Sequence, residues 1–344
     1  MPTLTPSALV EAQVLADKMF ADSARKADYV VEVNAAKAII ENTTAEMTIV
    51  ERTDKTLTVS AKFNQFCDDD VSTSTPNYCT ISGTEADSGK KDYIIESNVN
   101  KKFTIDEANY RTNFLDFGAV FADNMLKSMK AMDEKIAQVC VSKLQSFTSD
   151  NLNTVNGIAC PGVVSPESWA TTYIKPSNWA PSIMGYFAKT ARINKFSSPF
   201  LLDGKNLFDH FVATQVNEGN ADGKGAAAWF KMMKYYEDLI NVEAVASGST
   251  FMVQRGAVAF ASKAYWEKFS EAAPKTDASG RLKYSVNSKN IPGVKYDVYV
   301  TEECSGKDVK YNVLLDLNYD VFNGPAACND ATGVLEFVCG ACPS

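Results

Sequence analysis

The alternation of apolar and polar residues is most regular between residues 113 and 147, where apolar side chains recur every three or four positions. Charged residues such as Asp123, Lys127 and Glu134 fall between them, which is the periodicity of an amphipathic helix with Asn113 as its N-cap. At a rise of 1.5 Å per residue this helix would be about 50 Å long. The apolar positions expected to pack are Phe114, Phe117, Phe121, Met125, Met132 and Ile136.

The sequence before this helix has two parts, one with a helical pattern and one with a strand pattern. Residues 1–45 favour helix, with Pro6 in a first turn and apolar residues on one face. From about residue 46 to 105 the runs "TLTVSAKF" and "KKDYIIESNVNKKFTI" are typical of strands, and a polar segment separates them. The pattern predicts a long two-stranded arm. Because an isolated ribbon is marginally stable in water, we expect it to lie on its own chain or on a neighbouring subunit.

The sequence after the helix contains both helical and strand patterns of apolar residues. It predicts helices over 181–194, at "NLFDHFVATQVN" and through "AAAWFKMMKYYEDL", and a strand at "PFLLD". The run "STFMVQRGAVAFASKAYW" is typical of one buried strand, with Gly256 at a bulge or close approach. The last strands, "KYDVYVTEE", "KYNVLLDLNYDVF" and "GVLEFVC", are antiparallel in style and need a helix to cover them. The fold class expected is therefore α+β, with the long helix as that cover.

The composition is that of an ordinary globular protein. The 344 residues are 45% hydrophobic and 22% charged, and the net charge is −8. An acidic chain without a basic cluster is a poor partner for nucleic acid or an anionic membrane. No apolar stretch approaches the roughly 20 residues of a membrane span, and the opening lacks the features of a secretory leader. We therefore expect a non-secreted protein without a membrane partner.

The order of these parts resembles the major capsid proteins of tailed bacteriophages, which share the Hong Kong 97 capsid fold. The stretches that carry the likeness are "KKFTIDEANYRTNFLDFGAVFADNM", "TFMVQRGAVAFASKAYW" and "KYNVLLDLNYDVF". The resemblance implies an N-terminal arm, an extended two-stranded loop, a peripheral lobe with a long spine helix, a mixed α/β axial lobe, and closing strands of the peripheral lobe with a C-terminal tail. The corresponding segments are 1–45, 46–105, 106–150, 151–290 and 291–344.

The same resemblance implies a structural role without a cofactor. Such chains form hexamers and pentamers that tile an icosahedral shell around double-stranded DNA, with scaffolding, portal and sometimes decoration proteins as partners. The expected location is the virion capsid, assembled in the host cytoplasm. An encapsulin-like compartment shell is a related alternative. A thiol-active enzyme is an alternative of a different class.

The thiol alternative rests on the pair Cys339 and Cys342, a C-x-x-C near the end of the chain. A redox pair of the thioredoxin kind needs a helix after its first thiol, and here a strand precedes the pair and Pro343 and Ser344 follow. Zinc needs about four ligands, and the chain has one histidine, His210, which we interpret as a packed residue.

For the eight cysteines two interpretations remain, disulfide pairing and, for at least half of them, burial as free thiols. Cys67 and Cys79 bracket the tip of the predicted arm, and an even cysteine count in a particle that leaves the cell allows pairing. Cys140 lies on the apolar stripe of the helix and is expected to be core. The candidates for pairing are Cys67, Cys79, Cys304, Cys328, Cys339 and Cys342. The acidic run "CDDD" lacks the spacing of a calcium loop.

Overall fold

The fold comes from a computed structural model of the chain. It describes residues 6–43, 49–52, 58–65, 87–106, 108, 117–149, 151, 171–179, 183–207, 233–264, 275–276, 281–305, 308–324 and 333–340. The helices are α1 Pro6–Ala21, α2 Lys26–Tyr29, α3 Asn34–Asn42, α4 Phe117–Ser146, α5 Ile183–Ile193 and α6 Leu239–Val245, with a 3₁₀ turn at Pro176–Asn178.

The strands are numbered in chain order. They are β1 Ile49–Arg52, β2 Thr58–Gln65, β3 Asp87–Ile94, β4 Ser97–Asp106, β5 Thr171–Ile174, β6 Phe200–Asp203, β7 Lys234–Glu237, β8 Ser249–Val253, β9 Val258–Lys263, β10 Lys275–Thr276, β11 Leu282–Asn287, β12 Lys295–Ser305, β13 Asp308–Asn323 and β14 Val334–Cys339. This mixture of helices and mainly antiparallel strands agrees with the expected α+β class.

The chain divides into two units, each built from separated stretches of sequence. Unit 1 comprises Met1–Lys37, Ile95–Val139 and Ala261–Asp320, and unit 2 comprises Ala38–Ile94, Cys140–Phe260 and Val321–Ser344.

Unit 1 is an antiparallel sheet covered by the long helix. The strand order is β10-β11-β12-β13-β4, and β9 pairs with β13 off that path. Alternate residues of β12 and β13, such as Val298 and Leu315, are buried because one face of the sheet packs against the core and the other does not. Aromatic contacts join that face to α4: the Phe103 and Phe121 rings are 5.9 Å apart, and the Phe117 and Tyr311 rings 5.1 Å. The helix thus covers the strands, as their pattern predicts.

Unit 2 contains a five-stranded mixed sheet in the order β5-β14-β8-β6-β7. β14 runs parallel to β5 and antiparallel to β8, and β6 runs parallel to β7. Helix α5 covers one face, where the Phe187 ring lies 4.8 Å from the Phe337 ring and 6.0 Å from Trp179. Strands inside a mixed sheet with helical cover are buried on both faces, and β6 and β8 are buried along their whole length.

Unit 2 also holds a separate three-stranded sheet, in the order β1-β2-β3. The register of β2 and β3 runs from Thr58 opposite Ile94 to Gln65 opposite Asp87. The sequence predicted two strands here, and β1 is the third. The predicted run "KKDYIIESNVNKKFTI" is also not one strand, because the chain leaves one sheet after Ile94 and enters the sheet of unit 1 at Ser97.

Three predictions downstream of α4 are wrong in part. The stretch predicted as one strand around Gly256 is two strands, β8 and β9, because Gly256 adopts a φ of +82° in a tight turn. The predicted helix "AAAWFKMMKYYEDL" contains strand β7 at its described end, since Tyr235 and Tyr236 suit a sheet edge paired to β6. In "NLFDHFVATQVN", Asn206 and Leu207 form a turn, and the rest lies outside the described residues.

Candidate functional site

The three-stranded sheet of β1, β2 and β3 is the candidate assembly element of unit 2. Its base is tied to residues 322 and 323, which belong to the same unit: the Tyr93 hydroxyl donates to the Asn323 carbonyl at 3.0 Å, and the Tyr93 ring lies 4.7 Å from Phe322. Next to this anchor the side chain of Ile94 is 62% exposed. Ile94 is the most exposed large hydrophobic side chain among the described residues.

Helix α4 is the other candidate element. It has 30 residues and so is about 45 Å long. Of the six positions expected to pack, Phe121, Met125, Met132 and Ile136 are buried, Phe117 is half-buried, and Phe114 lies outside the described residues. The predicted cap Asn113 also lies outside them, and the helix begins at Phe117.

A buried carboxylate, Asp133, sits in the middle of α4 within unit 1. Its oxygens accept hydrogen bonds from the Ser288 hydroxyl at 2.8 Å, from the Asn290 amide at 3.0 Å and from the Tyr296 hydroxyl. Burial raises the pKa of Asp133, and these three donors oppose part of that rise. The sequence analysis missed Asp133, although an acidic residue between the apolar Met132 and Ile136 was a signal for a buried polar contact.

Asp203 closes strand β6 in unit 2 and is fully buried. It accepts from the Thr250 hydroxyl at 2.5 Å, from the Leu207 N–H at 2.8 Å and from the Tyr235 hydroxyl at 3.2 Å. Burial raises the pKa of Asp203 and these donors lower it again in part. These hydrogen bonds to Asp203 stabilise the turn after β6, which gives the carboxylate a structural role.

Glu243 and Lys205 lie close to that turn. The Lys205 ammonium is 2.9 Å from the Glu243 carboxylate, which also accepts from the Ser247 hydroxyl at 2.8 Å. Burial opposes ionisation of Glu243, but the hydrogen bonds outweigh it and its pKa lies below the usual range. Gly204 makes room for this carboxylate, because a Cβ there would come within 2.6 Å of the Glu243 Oε1 atom.

Glu336 is another buried carboxylate. It lies on the face of the five-stranded sheet opposite α5. It accepts from the Ser249 hydroxyl at 2.6 Å, from the Thr171 hydroxyl at 3.0 Å and from the Gln145 amide at 3.3 Å. Burial raises the pKa of Glu336 against the effect of these donors. The group links β14, β8, β5 and the end of α4 within unit 2. Its signal in the sequence was a lone acid inside the apolar run "VLEFVC".

Of the cysteines proposed for pairing, Cys304 and Cys339 are free thiols in the structure, and Cys67, Cys79, Cys328 and Cys342 lie outside the described residues. Cys304 is exposed near the end of β12. Cys339 is half-buried at the end of β14, where its N–H donates to the Gly248 carbonyl at 3.0 Å. Burial raises the pKa of the Cys339 thiol, which is the opposite of what an attacking thiolate needs.

The part of the chain that the structure describes contains no group of three or more histidine, cysteine or acidic side chains placed to hold a metal ion. None of its helices is both long and apolar enough to cross a membrane. His210 and the "CDDD" run fall outside the described residues.

Comparison with known proteins gives matches among solved structures. No family model matches the chain, and no curated protein matches it. A cyanophage P-SCSP1u capsid chain is 10% identical with a TM-score of 0.47, covering 86% of this chain and 87% of that one. A Ralstonia phage GP4 capsid chain is 10% identical with a TM-score of 0.46, covering 87% and 89%.

A chain of Mycobacterium phage Che8 is 12% identical with a TM-score of 0.44, and the alignment covers 85% of this chain and 94% of that chain. The chain is thus similar to phage capsid chains, the class of protein to which the sequence resemblance pointed.

Proposed function

We propose that this protein is the major capsid protein of a tailed bacteriophage, which self-assembles as hexamers and pentamers into an icosahedral shell around double-stranded DNA. The observation that carries the proposal is the order of its elements. An N-terminal helical segment leads to a self-contained β1-β2-β3 sheet, and then to a 30-residue helix packed on an antiparallel sheet. A second unit with its own mixed sheet completes the order that the sequence resemblance predicted.

Each segment has a role in this proposal. The N-terminal arm (1–45) and extended loop (46–105) reach neighbouring subunits. The spine-helix region (106–150) forms the peripheral lobe with β12 and β13 of the closing segment (291–344), whereas β14 of that segment pairs with β5 and β8 in the other sheet. The axial lobe (151–290) lies around the axis of each capsomer. The apolar Ile94, open to water beside the Tyr93 anchor, supports a contact role for the loop base.

The partners follow from the same role. The chain binds copies of itself, a scaffolding protein during assembly, a portal protein at one vertex and, in some shells, decoration proteins. The net charge of −8 supports enclosure of DNA without sequence-specific binding. The protein would work in the virion capsid after assembly in the host cytoplasm.

An enzymatic role has less support. The buried carboxylates Asp133, Asp203 and Glu336 each accept three hydrogen bonds from their own unit. Groups saturated in this way hold a fold together, whereas a general base needs a free lone pair facing substrate. The raised pKa of Cys339 also disfavours the thiol alternative.

The experiment that tests the proposal is mass photometry of the purified chain with negative-stain images of the same sample, repeated with a co-expressed scaffolding protein. Hexamers, pentamers or closed shells in either sample would support it. A monomer in both would contradict it. Shells that enclose a cargo enzyme in place of DNA would favour the encapsulin-like alternative.

A further inference from the structure

We propose that residues 6–31, here called the N-terminal strap, form a releasable segment that Asn290 latches onto unit 1. The proposal holds whether or not the chain builds a shell. Release would free the strap while α4 and the sheet of unit 1 stay folded. All contacts used below lie within unit 1.

The first half of the strap, α1, is weakly packed. Its buried side chains are Leu9, Ala12, Ala16 and Met19, and two of these four are alanines that bury little apolar area. A pocket of about 330 Å³ that is partly open to solvent lies between α1, α4 and the adjoining ends of β11 and β12. A helix that packs through small side chains beside an open pocket gains little free energy from docking.

Peripheral polar contacts add little to this half. Asp17 contacts the Lys289 ammonium, but the Asp17 side chain is 62% exposed, and exposed ion pairs contribute little to stability. The Lys130 ammonium donates to the Asp28 carbonyl at 2.9 Å, also at the surface. The strap must therefore be held mainly at its other end.

That end is held by buried groups around Tyr29. The Tyr29 side chain is fully buried, and its hydroxyl donates to Asp123 of α4 at 2.7 Å. The Asn290 amide nitrogen donates to the Tyr29 carbonyl at 3.2 Å, and the Asn290 carbonyl oxygen accepts from the Val31 N–H at 3.4 Å. One amide side chain thus holds the strap backbone on both sides of Val30.

Asn290 is in turn fixed by groups that do not belong to the strap. Its amide nitrogen also donates to Asp133 at 3.0 Å, and Ser288 and Tyr296 bind the same carboxylate. These contacts persist when the strap leaves, so the receiving site is preformed. A preformed site lets the strap dock again without reorganising unit 1.

The release has a defined limit along the chain. Val33 and the α3 residues Ala35 and Ala36 are fully buried. Residues from Val33 onward are therefore anchored, and Glu32 marks the hinge. Opening would uncover the face of α4 that carries Met125 and Met129.

The test is hydrogen exchange of the full chain, read by mass spectrometry. A free 16-residue helix is marginal in water, so amides of a released α1 exchange. We expect Asn290→Ala to speed exchange in residues 8–31 at least about tenfold, with residues 117–139 unchanged. Tyr29→Phe, which keeps the buried ring, should give a smaller acceleration in the same residues.

The matched control is Asn98→Ala, the same change at an exposed position of β4 that binds Asp316 and Asn318. It should leave exchange in the strap at the wild-type rate. Unchanged strap exchange in Asn290→Ala would overturn the proposal. So would acceleration of the strap and α4 together, because the strap would then be part of the global unfolding unit.

Discussion

Glu336 offers a sharp test of whether a buried carboxylate serves unit 2 through its charge or through its hydrogen bonds. In Glu336→Gln the new Oε1 still accepts from Ser249 and Gln145, and the new amide donates to the Thr171 hydroxyl, which can accept. All three contacts survive and the buried charge is gone. We therefore expect the free energy of unfolding at neutral pH to stay within about 1 kcal/mol of wild type or to rise.

Glu336→Ala is the matched comparison. It leaves the buried Ser249 hydroxyl without its acceptor, which costs about 1–3 kcal/mol, and it leaves Thr171 and Gln145 without theirs. A loss on the order of 3 kcal/mol is expected. Urea unfolding followed by tryptophan fluorescence measures both variants, since Trp179 belongs to the core of the same unit.

The pH dependence supplies a second readout on the same residue. Burial raises the pKa of Glu336 in the folded state above the usual 4.5, so the folded protein binds the proton more readily than the unfolded chain. The penalty of the buried charge is full above the folded pKa and disappears as pH falls toward the unfolded value. Any advantage of Glu336→Gln should shrink over that window. If Glu336→Gln is as unstable as Glu336→Ala at neutral pH, the reasoning is wrong.

Four further outcomes are expected. Ile136→Asp should abolish soluble folding because an unpaired charge would be buried against α4, whereas Ile136→Val should lower the free energy of unfolding by about 0.5–1.5 kcal/mol. A normal yield and melting temperature for the aspartate variant would show that Ile136 is not buried. The pKa of Glu243 is lowered in the folded state, so its contribution to the free energy of unfolding is present above pH 4.5 and lost as pH falls through the folded pKa. Glu243→Gln should therefore reduce the loss of stability at acidic pH. An unchanged loss would exclude the ion pair with Lys205 as its source. Ile94→Glu should leave the chain folded but block assembly in mass photometry, while Ile94→Val assembles; equal assembly of both would remove Ile94 from the interface. Replacing Cys67 and Cys79 by Ser should leave assembly intact and lower the melting temperature of particles in oxidising medium, and unchanged melting would refute a clamp at the arm tip.

Local periodicity predicted the elements that depend on local sequence. Helix α4 could be located because its apolar positions repeat over eight turns, and its length makes competing interpretations of the pattern poor. Strands β12 and β13 could be located because the turn near Ser305 separates two alternating runs. Their cover by α4 followed from the need to bury an apolar sheet face.

Strand partnership was harder to predict because it is set by distant sequence. The last predicted strand was expected beside β12 and β13, yet β14 lies between β5 and β8 in the other sheet. No local feature of "VLEFVC" distinguishes the two sheets, since both bury apolar strands. The buried acids Asp133 and Glu336 were missed for the same reason, because their donors lie about 155 and 87 positions away.

The place of β14 has a consequence for how the protein is made. β14 follows β5, β6, β7 and β8 in the sequence, but it fills the gap between β5 and β8. Ribosomes add about 5–20 residues per second, so the edge of β8 waits for roughly 4–16 seconds while residues 254–333 are added, and the edge of β5 waits longer still. During that interval a nascent chain has an unfilled slot in its sheet. The rate of translation therefore limits how soon unit 2 can finish folding. Until then, the misassembly most to be expected is pairing of the open strand edges with a strand from a neighbouring nascent chain.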